Sequence, residues 1–358
     1  MGRSVSMVIR RHPGDFVVRE VLTAEASREI RELPGPRARY AVYRVERESM
    51  TTPDAAKRLA GLLGAKPGGL SWAGLKDKHA RTMQHITVPV VGGPMSMARR
   101  VEVEGFAADL IGWCEHEADA SWIRANAFAI VVRGMSAERS AAMLDVVRAR
   151  CDERGGAGLA FVNYFGLQRF ASARHGQGFA ARALVAGDFE RGLRLLIGTP
   201  TRKETGTRRV ASRLLASKWG IWAELASELR PGAERRAAEV LATGGGFREA
   251  FESLPHFTKQ MCVEAYQSWL WNRIAGGVVG IGAGSTLVPP QPETIEAAVR
   301  SVSIAMPGPG ASFEGDAGGA AARVMEAEGV TLDGLRVPGV RRPVFGTPTR
   351  PLVVSPED

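Results

Sequence analysis

The 358-residue sequence lacks the features that mark several common classes of protein. Its three cysteines, Cys114, Cys151 and Cys262, form no CxxC pair, which is typical of proteins from a reducing compartment. Its six histidines show no HExxH or similar ligand spacing, so no zinc site is predicted. No run of about 18 apolar residues and no apolar secretory stretch occurs. We therefore expect a cytoplasmic protein with no metal and no membrane association.

Signatures for phosphate, dinucleotide or acyl chemistry are also missing. Residues 61–66 (GLLGAK) lack the spacing of a Walker loop. Residues 280–284 (GIGAG) suggest a dinucleotide turn, but the third glycine of that fingerprint falls on Ser285. No GxSxG elbow is present. The sequence therefore predicts neither a nucleotide cofactor nor a serine hydrolase.

Acidic residues are outnumbered by basic ones. The chain has 47 Lys and Arg against 38 Asp and Glu, a net charge of +9, and only seven of the basic residues are Lys. Compared with lysine, arginine binds phosphate better, through two parallel hydrogen bonds, and its planar guanidinium stacks better on bases. One interpretation is a polyanionic partner such as nucleic acid. The other is an arginine-rich coding bias on a solvated surface, and charge alone leaves both open.

The order of patterns predicts an α+β protein of about two domains. Alternating apolar residues indicate strands in the first part, and a Thr-Pro-Asp start with Thr52 as N-cap indicates one helix there. The predicted strands cover residues 5–9, 16–21, 40–45, 70–74, 83–91 and 128–132. The predicted later helices cover residues 136–151, 176–187, 209–218, 233–242 and 257–275. Residues 276–323 are rich in Gly, Ala and Pro and are expected to be partly loop, and residues 337–344 again look strand-like.

The densest polar cluster, residues 73–84 (AGLKDKHARTMQ), lies between two predicted strands. Asp77 is flanked there by Lys76 and Lys78. Cations close to a carboxylate favour its ionised form, and an ionised Asp can act as a nucleophile or a general base. A charged hairpin turn would give the same pattern, so the residues alone leave both interpretations open.

This cluster resembles the GxKDxxAxTxQ motif of the TruD family of pseudouridine synthases. Four more segments resemble family motifs in the same order. They are residues 13–20 (PGDFVVRE, like PxDFxVxE), residues 126–128 with Arg133 (like NxF), residues 163–170 (NYFGLQRF, like NYFGxQRF) and residues 265–272 (AYQSWLWN, like AxQSxLFN). A terminal LPxGxYATxxLRE-like segment has no counterpart, so we expect a chain truncated relative to the family.

The resemblance implies a pseudouridine-synthase-type catalytic domain with a mixed or antiparallel sheet, carrying an inserted, helix-rich α/β domain. The expected domains are residues 1–155 (catalytic), 156–330 (inserted) and 331–358 (a return to the catalytic domain). RNA would bind in the cleft at the junction of the two domains. The order of residues 276–330 is not predicted.

The resemblance also implies an activity, the isomerisation of uridine to pseudouridine, with tRNA position 13 as the best-known target. No cofactor is needed. Asp77 is implied as the essential aspartate, either a nucleophile at the sugar or a base on the ribose. Arg19 is the first candidate for its ion partner. Lys76 and Lys78 are candidates to keep its pKa low, but adjacent strand residues point to opposite faces, so neither is expected to make the closest contact. Lys76 is also a candidate substrate-binding residue.

Further substrate-binding residues are implied by the same motifs. Phe128 would stack on the flipped base, although alternation with Ile130 would equally suit a core residue. Asn126 would read the uracil edge or position Asp77. Asn163 and Arg169 are candidates at the start of the second domain, where Arg169 either contacts phosphate or makes a structural hydrogen bond. Gln267 and Asn272 would be buried polar links to the first domain, and Tyr164, Phe165 and Phe170 core residues.

The expected partner is therefore tRNA, with other structured RNA as a second possibility and with no obligate protein partner. Two rival functions are a non-catalytic RNA-binding or RNA-remodelling protein of the same fold, and a hydrolase that uses Asp77 as a general base. The hydrolase requires a second acid or a metal ligand beside Asp77, which the motif does not supply.

Overall fold

The chain separates by its contacts into a strand-rich and a helix-rich unit. The structure, a computed structural model, describes residues 7–90, 92–153, 160–173, 175–201, 204, 206–280 and 302–355. Unit 1 is Met1–Val146 and unit 2 is Val147–Asp358. Helix α3 (Ala137–Glu153) runs across this division. The predicted boundary at residue 155 stays a prediction.

Unit 1 contains a seven-stranded mixed sheet. Its strands are β1 (Phe16–Leu22), β2 (Tyr40–Glu48), β3 (Ser71–Trp72), β4 (Arg81–Pro89), β5 (Arg100–Val103), β6 (Phe106–Cys114) and β7 (Ile123–Ile130), with a short helix α1 (Ala24–Glu29) after β1. The strand order is β5-β6-β2-β4-β1-β7, and β3 pairs with the C-terminal part of β4. Strands β1 and β4 are parallel, whereas the other pairs are antiparallel. The predicted α+β fold with a mixed sheet is confirmed.

Helix α2 (Thr52–Leu63) covers one face of this sheet. The Thr51 hydroxyl accepts a hydrogen bond from the Asp54 N–H, and Gly64, at φ 66°, ends the helix in the left-handed conformation that glycine favours. The predicted N-cap was Thr52, one residue later. Because Thr51 caps the helix, the hydroxyl of Thr52 is available for other contacts. Leu59 on the buried side joins the core of the sheet.

Unit 2 is built around one long helix. Its helices are α4 (Ala180–Val185), α5 (Phe189–Leu193), α6 (Gly206–Lys218), α7 (Trp222–Glu228), α8 (Ala233–Ala242), α9 (Phe247–Glu252), α10 (His256–Val278) and α11 (Gly315–Glu328). The predicted helices at 209–218, 233–242 and 257–275 are confirmed as α6, α8 and α10. Tyr266, Leu270 and Trp271 of α10 are fully buried in the core, and α11 packs against the same helix.

The C-terminal segment pairs within unit 2. Strand β8 (Phe161–Val162) pairs with β11 (Val353–Val354), and β9 (Ser303–Ala305) pairs with β10 (Thr349–Pro351). The described residues of 331–358 thus belong by contact to unit 2. Their expected return to the catalytic domain stays a prediction.

Two local predictions need comment. The predicted strand at 337–344 is wrong, because Pro338 and Pro343 lack the N–H that a strand ladder requires and no strand forms there. Of the predicted strand at 5–9, residues 5 and 6 lie outside the described residues, and Val8 forms a single bridge with Arg133. Of the Gly/Ala/Pro-rich stretch, residues 281–301 lie outside the described residues.

Candidate active site

Asp77 lies in the loop of residues 73–80 between β3 and β4. Its Oδ2 atom accepts a hydrogen bond from Nη2 of Arg10 at 3.1 Å, and both side chains are partly exposed, at 23% and 36%. A cation that pairs with Asp77 is thus Arg10, from the segment before β1. This corrects the expectation that Arg19 would be the ion partner.

Arg10 also connects Asp77 to an aromatic pair. Its guanidinium lies over the ring of Phe16, with Cζ 3.9 Å from the centroid. The Phe16 ring packs edge-to-face against Phe128, with centroids 5.9 Å apart. Phe128 is 58% exposed, so the alternative that it is a core residue is wrong. Asp77, Arg10 and Phe128 therefore form one partly exposed surface, and the buried ring of Phe16, 6% exposed, joins Arg10 to Phe128.

The register of the sheet explains why Arg19 is not part of this surface. Val18 pairs with Phe128 on one side and with Thr82 on the other, so these three side chains share a face. Arg19 pairs with Met83 and therefore points to the opposite face, where it lines a small polar pocket with Glu46.

Asn126 is placed on the same strand as Phe128. It pairs with Glu20 across the β1–β7 ladder and is exposed. It lies two positions before Phe128 on the strand, so both side chains lie on one face of β7. The structure thus brings Asn126 to the face that carries Phe128, and its predicted contact with uracil stays a prediction.

A buried carboxylate anchors the loop that carries Asp77. Glu20 accepts a hydrogen bond from Nζ of Lys76 at 2.7 Å, from the backbone N–H of His85 at 2.8 Å, and lies 3.0 Å from His85 Nδ1. Burial alone would raise the pKa of Glu20, but the hydrogen bonds from His85 and Lys76 outweigh it and lower the pKa. The Lys76 ammonium, 5% exposed, is thus engaged by Glu20. Its predicted substrate contact stays a prediction.

A second buried group holds the backbone of the same loop. The Thr52 hydroxyl accepts hydrogen bonds from the Lys76 N–H at 2.9 Å and from Nη2 of Arg47 at 2.7 Å. It donates to Oε1 of Gln84, which also accepts from Arg47 at 2.9 Å. The other Arg47 nitrogen, Nη1, donates to the carbonyl of Met50. Lys76, directly before Asp77, is therefore fixed at both its backbone and its side chain.

A third ion pair holds the entry to β1. Arg133 donates to both oxygens of Asp15, at 2.7 and 2.8 Å, and the Asp15 side chain is 4% exposed. The hydrogen bonds from Arg133 hold the pKa of Asp15 well below its usual range. This bidentate pair fixes the residue directly before Phe16.

The two predicted residues in unit 2 make structural contacts there. Asn163 accepts a hydrogen bond from Nη2 of Arg350 at 2.6 Å and donates to the carbonyl of Pro351 at 3.0 Å. Arg169 donates from Nε to Ser268 at 3.0 Å and pairs with Glu264 at 2.8 Å. Asn163 thus secures the C-terminal strands and Arg169 secures α10. A role for either in substrate binding stays a prediction.

The polar residues of α10 contact unit 2 itself. Asn272 exchanges two hydrogen bonds with the backbone of Phe165, at 2.8 and 2.9 Å. Gln267 donates to the carbonyls of Pro307 and Gly346 at 2.9 and 2.5 Å. Both amide groups are therefore used within unit 2, and the expected link to the first domain stays a prediction.

Sequence reasoning missed three members of the site: Arg10, Thr52 and the role of Glu20. Glu20 and Gln84 lie inside the family motifs. An acid and an amide within otherwise apolar strands could have indicated that both side chains have buried polar partners. Arg10 has no such signal, because it lies among other basic residues and is selected only by the fold.

Metal-ligating clusters and membrane-spanning helices are absent from the part of the chain that the structure describes. There, no group of three or more His, Cys, Asp or Glu side chains is placed to hold a metal ion. No helix among those residues is long and apolar enough to span a membrane.

Comparison with known proteins gives consistent results. The family model "tRNA pseudouridine synthase D (TruD)" matches residues 2–280. Over 270 residues the chain is 33% identical to the probable tRNA pseudouridine synthase D of Halobacterium salinarum and 29% identical to the tRNA pseudouridine synthase D of Aquifex aeolicus. These matches cover 74% of this chain but 59% and 64% of the two relatives, so the chain spans about three fifths of their length.

A solved structure shows the same fold. A putative tRNA pseudouridine synthase D from Methanosarcina mazei superposes with a TM-score of 0.61 at 24% identity, covering 92% of this chain and 80% of that one. The ordered motifs and the family model that matches 279 residues agree with this fold. The chain belongs to the TruD family.

Proposed function

We propose that this protein isomerises uridine to pseudouridine in tRNA, with Asp77 as its essential carboxylate. The observation that carries the proposal is the surface on which Asp77, paired with Arg10, adjoins the exposed ring of Phe128 through Phe16. A carboxylate connected through Arg10 and Phe16 to an exposed aromatic ring suits chemistry on a base that has been turned out of an RNA stack.

The reaction rearranges one nucleotide and needs no added atoms. The N1–C1′ bond breaks, the uracil turns over, and a C5–C1′ bond forms while C5 loses a proton and N1 gains one. Asp77 either attacks the sugar or removes a proton from the ribose. Both roles need a carboxylate of fixed direction, which Arg10 and the anchored loop provide.

Phe128 would hold the extruded base. Stacking on an aromatic side chain contributes about 1–3 kcal/mol per base. Phe16 supports the Phe128 ring from its edge, leaving more than half of Phe128 open to solvent. Asn126, on the same face of β7, would then lie within reach of the polar edge of the uracil.

The tRNA substrate is proposed from two observations. Both relatives compared above carry the name tRNA pseudouridine synthase D, and the net charge of +9 suits a phosphate backbone. We extend the proposal to position 13 of tRNA, to action in the cytoplasm, and to contacts from Arg19, Lys76, Asn163 and Arg169 with the RNA.

The test uses tRNA transcripts that carry tritium at C5 of uridine, because forming the C5–C1′ bond releases that tritium. We expect release by the wild-type protein and none by Asp77→Asn. Asp109→Asn is the matched control, because Asp109 is also paired with an arginine and is similarly exposed at 28%. Binding of tRNA without release by the wild type would instead favour the non-catalytic RNA-binding function.

A further inference from the structure

The catalytic carboxylate depends on how the residue before it is held. Consecutive Cα atoms are about 3.8 Å apart across a trans peptide, so fixing Lys76 limits where Asp77 can lie. The Lys76 N–H donates to Thr52 Oγ1 at 2.9 Å, and its Nζ reaches Glu20 at 2.7 Å. Of the two anchors, the one at the N–H is closer along the chain to the Asp77 backbone.

The Thr52 hydroxyl is itself fully oriented. A hydroxyl has one hydrogen to donate and two lone pairs that accept. Here the hydrogen goes to Gln84 at 3.0 Å, and the lone pairs accept from Arg47 at 2.7 Å and from Lys76. Thr52, Arg47 and Gln84 are each no more than 2% exposed. Water therefore does not compete for these bonds, and the hydroxyl has one direction.

Arg47 makes this arrangement stronger than a neutral one. Burial lowers the pKa of Arg47 to about 10, so the guanidinium stays charged at neutral pH. Hydrogen bonds to charged groups are shorter and about twice as strong as neutral ones. The charge polarises the hydroxyl that accepts the Lys76 N–H. The hydrogen bonds of Arg47 connect β2, β4 and the first residue of α2.

We propose that Thr52 is a positioning residue for Asp77, acting through the Lys76 peptide. This proposal rests on the proposed isomerase activity. Thr52 touches no reacting atom. It sets the direction of the Asp77 carboxylate relative to Phe128 and therefore contributes to the chemical step.

The experiment compares Thr52→Val with Thr52→Ser and with Thr87→Val in the full chain. Valine has the shape of threonine without the hydroxyl, and serine keeps the hydroxyl. Thr87 is the matched control, because it is a buried threonine on β4 whose hydroxyl likewise accepts a backbone N–H, that of Ala118 at 3.0 Å. Tritium release at varied tRNA concentration gives kcat and KM, and thermal unfolding gives Tm.

We expect Thr52→Val to lower kcat about 10- to 100-fold at unchanged KM, because a shift of the Asp77 carboxylate by about 1 Å slows a reaction by that order. Thr52→Ser should retain most of kcat. Thr87→Val should lower Tm by a similar amount without lowering kcat. A Thr52→Val kcat no lower than that of Thr87→Val, or a change confined to KM, would overturn the proposal.

A second variant covers the case in which Thr52→Val does not fold. Gln84→Met leaves the Thr52 hydroxyl in place and removes the Gln84 amide, whose Oε1 accepts from both Thr52 and Arg47. We expect a smaller fall in kcat at unchanged KM, and an unchanged kcat would refute the positioning role. Absence of release by the wild type would refute the isomerase activity itself, which separates the two failures.

Discussion

Replacing Glu20 by Gln should destabilise unit 1 far more than an ordinary surface charge change. The Glu20 side chain is fully buried, and its partner Lys76 is 5% exposed at a distance of 2.7 Å. Glutamine preserves the size but leaves the Lys76 ammonium without a counter-charge. Removing one partner of a buried ion pair costs about 3–5 kcal/mol, so the free energy of unfolding of unit 1 should fall by that amount.

The same substitution at Glu46 provides the control. Glu46 pairs with Arg81 at 3.6 Å on the neighbouring part of the sheet, and the two side chains are 47% and 59% exposed. Exposed pairs of this kind contribute about 0–1 kcal/mol. We therefore expect Glu46→Gln to change the stability of unit 1 by less than about 1 kcal/mol.

Hydrogen exchange of peptides from β1 and β4, measured across a urea series, reports on unit 1 separately from unit 2. The reasoning fails if Glu20→Gln costs no more than Glu46→Gln. A double variant, Glu20→Gln with Lys76→Met, should recover a large part of the loss, because it removes both buried charges. A loss equal to the sum of the two single changes would refute the pairing.

Three further predictions follow from the same geometry. Arg10→Gln should lower kcat for tritium release about 10- to 100-fold, because it removes the hydrogen bond from Arg10 that orients the Asp77 carboxylate. Arg11→Gln, one residue along, should not lower kcat, and equal losses would contradict the role of Arg10. Phe128→Ala should weaken tRNA binding by about 1–3 kcal/mol in filter-binding assays, and an unchanged affinity would contradict stacking. The Tm of this variant should change little, because the Phe128 ring is 58% exposed. Unit 1 should lose stability on acidification, because the pKa values of Glu20 and Asp15 lie below their ordinary values of 4.5 and 3.8. The unfolded chain therefore takes up protons first as pH falls through that range, and the stabilisation is lost as the folded pKa values are passed. Urea titrations between about pH 3 and pH 7 should show a smaller decline for Glu20→Gln and Asp15→Asn, and an equal decline would exclude these groups as its cause.

Sequence patterns predicted β1, β2, β4 and the helices α6, α8 and α10, whose apolar residues recur at strand or helix spacing. They did not predict β5 or β6. β2 and β4 lie in the centre of the sheet and read as apolar segments, and α10 has apolar residues at helical spacing. The strand predicted at 337–344 failed because valines alone were weighed, while the prolines that remove ladder hydrogen bonds were not.

The site was only partly predictable because its parts come from distant segments. Asp77 was identified by a motif and its flanking lysines. Its contact with Arg10 was not, because three arginines precede β1 and only the packing of Arg10 over Phe16 distinguishes one of them. Arg19 was the candidate in the motif, but strand alternation turns it to the other face. Lys76 lies next to Asp77 in sequence, yet its ammonium pairs with the buried carboxylate of Glu20.

The parallel pairing of β1 with β4 has a consequence for how the protein acquires its site. Contacts that join Arg10 to Asp77, Glu20 to Lys76 and Glu20 to His85 span 67, 56 and 65 residues. Non-local pairings form slowly, because the entropy of closing long loops must be overcome first. β2 and β4 enclose α2 in a shorter segment, so we expect them to associate before β1 inserts between β4 and β7. Until β1 docks, the loop that carries Asp77 would be held by Thr52 but would lack its contacts with Glu20 and Arg10. The site would then be completed by a late step of folding.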